Sequence, residues 1–415
     1  MKLSEELSWR GFVNQTTYKD ISVLDKKPIS FYWGVDPSAD SMTVGNLAIA
    51  MMVRHFINHG HKAYLLVGGA TGMIGDPDGK AQERDLLTLE QLAKNKQAIA
   101  GQYERVFQGL DFEIVDNYDW FKHMNYLEFL RDVGKHAPMR QMLGREFVQS
   151  RLGEDGTGIS YAEFSYSLIQ GYDFLHLHRE NGVDLQVCGA DQWGNCIAGV
   201  DLIRRITGDE AHVWSAPLVV NKTTGVKFGK TEAGAVWLDP AKTSPTQFYQ
   251  FWINVEDENV EDYLKIYTLL SKTEIEKVLE EHAKDTAARV AQTALAQSVT
   301  EVVHGKELAH TAAVVTKILT GETNVGDVSE GVIAEVRKEL PSETFPKLPT
   351  VVEALVATGL ASSNSEARRL IASGAVYING EGMANPELEK TDFKNGRLLI
   401  RRGKAFKDSA LIEIK

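Results

Sequence analysis

Two lysines three residues apart, Lys227 and Lys230, enclose Gly229 and are followed by the hydroxyl of Thr231. A lysine ammonium is a compact, mobile cation, and such cations stabilise phosphate oxygens whose charge grows while a P–O bond breaks. Gly229 allows the backbone to approach a ligand closely or to adopt a positive φ. The segment alone fits either a solvated surface turn or a loop that closes over a polyphosphate, and the rest of the chain favours the loop.

A second polar segment, residues 36–46, joins an apolar run to a helical pattern. Thr43 and Asn46 fall on one face near the N-terminus of that helix, where the backbone N–H groups favour a phosphate. Gly45 leaves space for a bulky ligand against the backbone. An ordinary turn with a side-chain cap explains the same residues, so this segment alone leaves both interpretations open.

Residues 68–80 are rich in glycine, yet they contain neither a P-loop nor a GxGxxG dinucleotide motif, since Ile74 stands where a P-loop has its first glycine. We interpret the segment as a turn that lines a ligand site. Asp76 offers a carboxylate to an ammonium group. Lys80 and Arg84 are four residues apart, so both can reach one phosphate.

Three polar residues, Tyr166, Gln170 and Asp173, recur at i, i+4 and i+7 and therefore share one helix face. Their neighbours are largely apolar, which predicts a buried helix. Buried polar groups are costly unless they meet partners. Either neighbouring helices or a polar small molecule supplies those partners.

The Gly-Ala-Asp-Gln-Trp-Gly-Asn segment that begins at Gly189 follows an apolar strand pattern. Asp191 and Gln192 place a carboxylate and an amide at the end of that strand. This position suits ribose hydroxyls or a substrate that carries a carboxylate.

Strand and helix patterns alternate through the first half of the chain. The apolar runs lie at residues 29–35, 63–67, 112–115 and 185–188. Near-continuous apolar strands that alternate with helices predict an α/β fold with a Rossmann-like parallel sheet covered on both faces. Ligands bind such sheets beyond the carboxyl ends of the strands, where the polar turns fall. We predict a catalytic domain over 1–235, with the lysine loop at 226–232.

The second half of the chain has a different texture. Amphipathic, Ala-rich patterns predict an α-helical domain over 236–320, and a stretch rich in Gly, Pro, Thr and Ser predicts a linker over 321–349. Two helical patterns followed by alternating strands predict a small α+β domain over 350–415. Residues 348–415 contain ten Lys or Arg against eight Asp or Glu, although the formal net charge of the whole chain is −12. This balance argues against a nonspecific nucleic-acid binder and favours one particular polyanion at the basic end.

Composition excludes several classes of protein. The chain has 415 residues, enough for two or three domains, and 43% hydrophobic residues, as in globular proteins. Its two cysteines do not form a Cys-x-x-Cys pair, so we expect free thiols and no metal site. No run approaches the ~18 apolar residues of a membrane span, and the first residues lack a targeting pattern. We therefore expect a cytoplasmic location.

Together these segments resemble the class I aminoacyl-tRNA synthetases, and among them the bacterial tyrosyl-tRNA synthetases. Residues 227–231 resemble the KFGKS/T loop of that family, 189–195 its GSDQWGN segment, 166–173 its Tyr-xxx-Gln-xx-Asp helix, 32–37 its YxGxDP strand end, and 365–380 an S4-like RNA-binding module. These matches follow the family's order along nearly the whole chain.

The resemblance implies a reaction and its partners. L-Tyrosine reacts with ATP, which carries Mg²⁺, to give tyrosyl-adenylate and pyrophosphate, and the tyrosyl group then passes to tRNA(Tyr). No tightly bound cofactor and no protein-bound metal are implied. A homodimer is implied as well, and the sequence predicts that residues 136–151 contribute to the subunit contact.

The resemblance also implies roles for individual residues. Tyr32 and Asp173 bracket the phenol hydroxyl of tyrosine, Asp76, Tyr166 and Gln170 hold its ammonium, and Gln192 orients its carboxylate. The residues implied at ATP are Gly34, Asp36, Ser38, Gly45, Gly189, Asp191, Leu218, Val219 and Lys230. Those implied in catalysis are Lys80, Arg84, Lys227, Lys230, Thr231, Thr43 and Asn46, and those implied at tRNA are Arg368, Arg369, Arg401, Arg402 and Lys404.

One segment departs from the family. The HIGH signature is replaced by Thr43-Val44-Gly45-Asn46, so both histidines are missing while the glycine is retained. Because Thr and Asn still donate hydrogen bonds, we predict that activation survives. The alternatives are a tryptophanyl-tRNA synthetase-like enzyme, a catalytically weakened RNA-binding paralogue, and a nucleotidyltransferase that makes another adenylate.

Overall fold

The computed structural model of the protein describes residues 1–77, 85–153, 156–223, 225, 228–231, 234–383, 385, 387–403 and 408–415, with the backbone alone for 146–147 and 230–231. The described chain divides into two compact units. The first unit consists of Met1–Thr243 and Val255–Ser298, and the second of Ser244–Asn254 and Val299–Lys415.

The first unit is built on a six-stranded sheet. Its strands are β1 (Gln15–Thr16), β2 (Ser30–Val35), β3 (Lys62–Val67), β4 (Phe112–Asp116), β5 (Leu185–Gly189) and β6 (His212–Ala216), in the order β1-β6-β5-β2-β3-β4. Strands β2 to β6 pair in parallel, and only the short edge strand β1 is antiparallel to its neighbour. Strands β3 and β5 are buried along almost their whole length. The predicted parallel α/β sheet is therefore confirmed. A separate antiparallel pair follows along the chain, formed by the two-residue strands β7 (Lys230–Thr231) and β8 (Gly234–Ala235).

Helices occupy most of the remaining chain. They are α1 (Leu3–Arg10), α2 (Val44–Asn58), α3 (Thr71–Ile74), α4 (Leu89–Val106), α5 (Tyr118–Phe121), α6 (Tyr126–Asp132), α7 (Met139–Leu143), α8 (Glu146–Leu152), α9 (Tyr161–Asn181), α10 (Trp193–Ile206), α11 (Pro245–Ile253), α12 (Asp257–Tyr267), α13 (Lys272–His282), α14 (Val290–His304), α15 (Lys306–Thr320), α16 (Glu330–Glu339), α17 (Val351–Ala357) and α18 (Asn364–Ala372). Among these described helices, none has the length and apolar character needed to cross a membrane.

The ends of α9 follow from its sequence. The Ser160 hydroxyl accepts a hydrogen bond from the Glu163 backbone N–H, which caps the N-terminus. Gly182 ends the helix in the left-handed conformation, with a φ of 65°. The three polar residues that the spacing places on one face therefore lie on a single uninterrupted helix.

The predicted helical domain over 236–320 is divided between the two units. Helices α12 and α13 belong to the first unit. Arg10 of α1 explains part of this placement, because its guanidinium donates to the carbonyls of Lys265, Thr268 and Leu270 at 2.7–3.1 Å. Arg10 thus satisfies backbone acceptors at the C-terminal end of α12, a link between residues about 255 positions apart in the chain.

The second unit contains a five-stranded sheet. Its strands are β9 (Ser342–Phe345), β10 (Val376–Ile378), β11 (Glu381–Gly382), β12 (Arg397–Arg402) and β13 (Ser409–Ile414), in the order β11-β10-β12-β13-β9. Strand β9 is parallel to β13 and the other pairs are antiparallel. The helices and strands expected over 350–415 are all present.

The prediction of a linker over 321–349 is wrong. This segment forms α16 and β9, and β9 completes the sheet beside β13. Val325, Ile333 and Val336 of the segment are buried in one cluster with Leu399 and Leu411 of the sheet. Short elements and their caps account for the Gly, Ser and Pro content that the sequence analysis assigned to a linker.

Candidate active site

The carboxyl ends of β2 and β5 border a cavity of about 490 Å³ in the first unit. Polar turns that are far apart in the chain meet there, as the strand-end argument predicts. It is lined by the predicted tyrosine, ATP and catalytic residues whose side chains are described, namely Tyr32, Gly34, Asp36, Ser38, Thr43, Gly45, Asn46, Asp76, Tyr166, Gln170, Asp173, Gly189, Asp191, Gln192, Leu218 and Val219.

One end of the cavity is built around Tyr32 and Asp173, each only 2% exposed. Asp173 accepts hydrogen bonds from Asn117 Nδ2 at 3.1 Å and from Trp120 Nε1 at 2.9 Å. Burial raises the pKa of the Asp173 carboxyl well above its usual range, although these two hydrogen bonds act in the opposite direction. Burial likewise raises the pKa of the Tyr32 hydroxyl.

The Tyr32 hydroxyl has no hydrogen-bond partner among the described residues. A buried polar group left without a partner costs about 1–3 kcal/mol. This end of the cavity is therefore suited to a ligand that brings a hydroxyl of its own.

Two glutamine side chains add unpaired acceptors to the same cavity. Within the described chain, Gln170 Oε1 and Gln186 Oε1 are buried without a hydrogen-bond partner. Gln186 on β5 pairs with Tyr32 on β2, so the two side chains project to the same face of the sheet. The sequence analysis missed Gln186. The feature that could have identified it is a single amide side chain inside an otherwise apolar strand.

A carboxylate cluster forms the middle of the cavity. Asp36 accepts hydrogen bonds from the Tyr166 hydroxyl at 2.7 Å and from the Thr71 hydroxyl at 2.6 Å. Burial and the Asp36 carboxylate raise the pKa of the Tyr166 hydroxyl. Only glycine fits at Gly68, because a Cβ there would lie 2.1 Å from Asp36 Oδ1. With Asp76 on the same wall, the cluster is suited to an ammonium group.

Asn117 connects this cluster to the end that contains Asp173. Its Nδ2 donates to Thr71 Oγ1 at 3.0 Å as well as to Asp173, and its Oδ1 accepts from the Ala70 backbone N–H at 2.6 Å. Sequence reasoning missed Asn117, Thr71 and Trp120. They lie on turns and on four-residue helices, which carry no periodic pattern.

Gln192 lies on the wall of the cavity beside the cluster. Its Nε2 donates to Asp76 Oδ2 at 2.5 Å, and its Oε1 accepts from Asn195 Nδ2 at 3.2 Å. Both groups of the amide are thus held by neighbouring side chains.

The replaced signature lies at the N-terminus of α2. Asn46 Oδ1 accepts hydrogen bonds from the backbone N–H and the hydroxyl of Thr43, at 3.0 and 3.1 Å. Both residues also line the cavity. The cap and the ligand-lining interpretation, which the sequence left as alternatives, are therefore compatible.

The start of the lysine loop packs against the same helix terminus. Gly229 has a φ of 89°, and a Cβ there would lie 2.4 Å from Val44 Cγ2, so a side chain is excluded. The Phe228 N–H donates to the Val219 carbonyl at 2.9 Å, and the Val236 N–H donates to the Gly229 carbonyl at 3.1 Å. These contacts bring Phe228 and Gly229 to the side of the cavity that Gly45 and Val219 line.

Several predicted residues lie outside this description. Lys80, Arg84, Lys227 and Lys404 are outside the described residues, and only the backbone of Lys230 and Thr231 is described, in β7. Their contacts with phosphate stay predictions.

The arginines predicted at tRNA differ in exposure within the second unit. Arg368 and Arg369 are exposed on α18. Arg401 is only 8% exposed, and its guanidinium lies 4.8 Å from the ring centre of its strand partner Tyr377. Arg402 donates to the Leu360 carbonyl at 3.1 Å. The alternation of β12 turns Arg401 inward, so we withdraw it from the residues predicted at tRNA.

Comparisons with known proteins agree with this geometry. The family described as tRNA synthetases class I (W and Y) matches residues 24–320, and the tyrosine–tRNA ligase SYY-like C-terminal domain matches 332–407. A tyrosine–tRNA ligase of Staphylococcus haemolyticus is 43% identical over 412 residues, covering 97% of each chain.

Solved structures give the same indication. A C-terminally truncated mitochondrial tyrosyl-tRNA synthetase of Aspergillus nidulans has a TM-score of 0.69 and 31% identity, covering 76% of this chain and 93% of that one. A tryptophanyl-tRNA synthetase of Plasmodium falciparum has a TM-score of 0.54 at 14% identity, over 80% of this chain and 89% of that one. The second likeness shows a shared fold alone.

Proposed function

The chain belongs to the class I tyrosyl-tRNA synthetases, and from this premise we propose how its cavity carries out the reaction. Enzymes of this family join L-tyrosine to tRNA(Tyr) at the expense of ATP. The Tyr32 hydroxyl, buried beside Asp173 and without a hydrogen-bond partner among the described residues, carries the assignment of the amino acid. The phenol hydroxyl of tyrosine would donate to Asp173 and accept from Tyr32.

The remaining groups of tyrosine have complementary partners in the same cavity. Asp36, Asp76 and Tyr166 surround the position of the ammonium, and their charge and acceptors suit a cation. Gln170 and Gln192 supply amides next to them. Gln192 is the group that would orient the carboxylate toward ATP.

The first chemical step then asks for positioning and charge stabilisation. A carboxylate oxygen of tyrosine attacks the α-phosphorus of MgATP while the bond from that phosphorus to the bridging oxygen breaks. The electron pair leaves with pyrophosphate, whose charge Lys80, Arg84, Lys227 and Lys230 would hold. Thr43 and Asn46, at the N-terminus of α2, would contact the nucleotide, and a ribose hydroxyl of tRNA later displaces AMP.

Exchange of labelled pyrophosphate into ATP tests the proposal without tRNA. The exchange should require tyrosine. Reactions with tryptophan, with phenylalanine or without an amino acid should give only the background rate. Exchange with tryptophan would indicate the tryptophanyl alternative. Absence of exchange with every amino acid would favour the RNA-binding paralogue, and exchange without any amino acid would favour another nucleotidyltransferase.

Replacing Thr43 by His tests the altered signature. We expect the exchange rate with tyrosine to stay unchanged or to rise a few-fold, because an imidazole adds a donor that can carry charge next to phosphate. Steady-state exchange with varied ATP measures this effect. A fall of more than tenfold in the exchange rate would show that the Thr43–Asn46 pair has another role. The exchange rate of Asn46→Ala would then show whether Asn46 takes part in that role.

The second unit is proposed to bind tRNA through Arg368 and Arg369, as an S4-like module. Changing both to Ala should lower the rate of tRNA charging at least tenfold at limiting tRNA and leave pyrophosphate exchange intact. The reason is that the lost phosphate contacts weaken the binding of tRNA and not that of tyrosine or ATP. The charge-matched control is Lys26→Ala with Lys27→Ala, two exposed lysines in the first unit. Equal damage to both reactions would contradict this assignment.

A homodimer in the cytoplasm completes the proposal. Large apolar side chains are exposed on the segments around the predicted contact, namely Tyr126, Leu127, Met139, Leu143, Leu152 and Tyr161. Exposed apolar clusters of this kind favour a protein interface. Residues 136–151 provide part of this surface.

A further inference from the structure

A chain of directional hydrogen bonds connects Arg145 to the cavity. Arg145 precedes α8 and donates from Nη1 to Asn195 Oδ1 at 2.7 Å and from Nη2 to the Gly194 carbonyl at 2.7 Å. Asn195, only 2% exposed, donates in turn to Gln192 Oε1. Gln192 donates to Asp76, so four side chains form one continuous path.

The two ends of this path determine its direction. A guanidinium has donors only, so Asn195 must present its oxygen to Arg145 and its amide nitrogen to Gln192. An ionised carboxylate has acceptors only, so Gln192 must present its nitrogen to Asp76. Each of the two amides could otherwise rotate by 180° with little steric change. Arg145 and Asp76 together therefore select one orientation for both amides.

We propose that Arg145 is a positioning residue for tyrosine, acting through Asn195 on the amide of Gln192. This inference rests on the proposed function, in which Gln192 and Asp76 contact the carboxylate and the ammonium of tyrosine. Without Arg145, Asn195 is free to present its nitrogen outward. Gln192 then keeps its bond to Asp76 but loses the donor to its Oε1, so its amide is held at one end only.

The test compares Arg145→Met, Arg145→Lys and Arg140→Met in pyrophosphate exchange. Arg140 is an exposed arginine on α7 within the same predicted subunit contact as Arg145, so its replacement makes the same charge change five residues away and controls for an effect on that contact. We expect Arg145→Met to raise the KM for tyrosine about tenfold, the size of one lost hydrogen bond to a charged group. The KM for ATP and kcat should change less than about twofold. Arg145→Lys keeps one donor and should restore most of the affinity.

A double-mutant cycle separates positioning from folding. Asn195→Ala should raise the KM for tyrosine by a similar factor, and adding Arg145→Met should cause little further loss, because both changes break the same path. The urea midpoint of Arg145→Met should match that of Arg140→Met.

Three results would overturn the inference. Arg145→Met would have the same KM for tyrosine as Arg140→Met, or the loss would appear in tRNA charging alone, or the effects of Arg145→Met and Asn195→Ala would be additive. All three are distinguishable from failure of the proposed function, in which the unaltered protein shows no tyrosine-dependent exchange and both proposals fall.

Discussion

Replacing Asp173 by Ala is expected to lower the preference for tyrosine over phenylalanine by about 10²–10³-fold. The substrate hydroxyl then loses its hydrogen bond to Asp173, which leaves its own O–H buried without that acceptor, a combined loss of about 2.5–4 kcal/mol. The full selectivity, about 10⁴–10⁵, is a range already known for this same enzyme family. The ratio of kcat/KM for the two amino acids in pyrophosphate exchange measures the effect.

Tyr32→Phe tests the same end of the cavity with a variant that should fold as the unaltered protein does. The Tyr32 hydroxyl has no partner among the described residues, so its removal leaves no other group unsatisfied. The expected loss of selectivity is about 5–10-fold, the size of one neutral hydrogen bond. The matched control is Tyr103→Phe, since Tyr103 is a buried tyrosine whose hydroxyl bonds the Leu66 carbonyl at 3.1 Å. Unchanged selectivity in Tyr32→Phe and Asp173→Ala would reject the assignment of this end of the cavity.

The elements with strong periodicity could be predicted from the sequence. The i, i+4, i+7 spacing of Tyr166, Gln170 and Asp173 required only that α9 be helical, and a 21-residue helix with capped ends satisfies this. The apolar runs likewise predicted β2 to β5. Because parallel strands align their carboxyl ends, the turns after β2 and β5 had to meet at one edge.

The supporting residues could not be predicted in the same way. Trp120 of α5 and Asn117, the residue before it, bond Asp173, and the position of this four-residue helix depends on packing against α9. Thr71 bonds Asp36 from α3, another four-residue helix, at a position where only Gly68 leaves room for that contact. Such partners arise from tertiary contacts, and local sequence pattern contains no information about them.

The predicted linker and the assignment of Arg401 were wrong for a related reason. The segment 321–349 has the composition of a linker, but β9 gains its stability by pairing with β13, which lies about 70 residues later. Arg401 sits in a basic cluster of the sequence, and strand alternation buries it against Tyr377. In both cases a neighbour distant in sequence decides the outcome.

A buried ion pair at the start of α9 gives the second large expected effect. Arg151 of α8 binds both carboxylate oxygens of Glu163, at 2.9 and 2.8 Å, and their side chains are only 6% and 3% exposed. The Arg151 Nε also donates to the Gly158 carbonyl at 2.7 Å. One guanidinium thus links Gly158 to the first turn of α9.

We expect Arg151→Met to destabilise the first unit by about 3–5 kcal/mol, because it leaves the Glu163 carboxylate buried and unpaired. Urea unfolding followed by tryptophan fluorescence measures the loss. Since Glu163 lies one turn before Tyr166, the KM for tyrosine should rise in the same variant.

The double variant Arg151→Met with Glu163→Met decides the mechanism. Two apolar side chains leave no uncompensated charge, so most of the lost stability should return. Arg131→Met is the control, since Arg131 forms an ion pair with Asp132 whose side chains are 72% and 50% exposed, and its urea midpoint should not move. If the double variant is as unstable as Arg151→Met, the contribution of Arg151 lies in its bond to Gly158 and its packing, and the ion pair is not what fixes the start of α9.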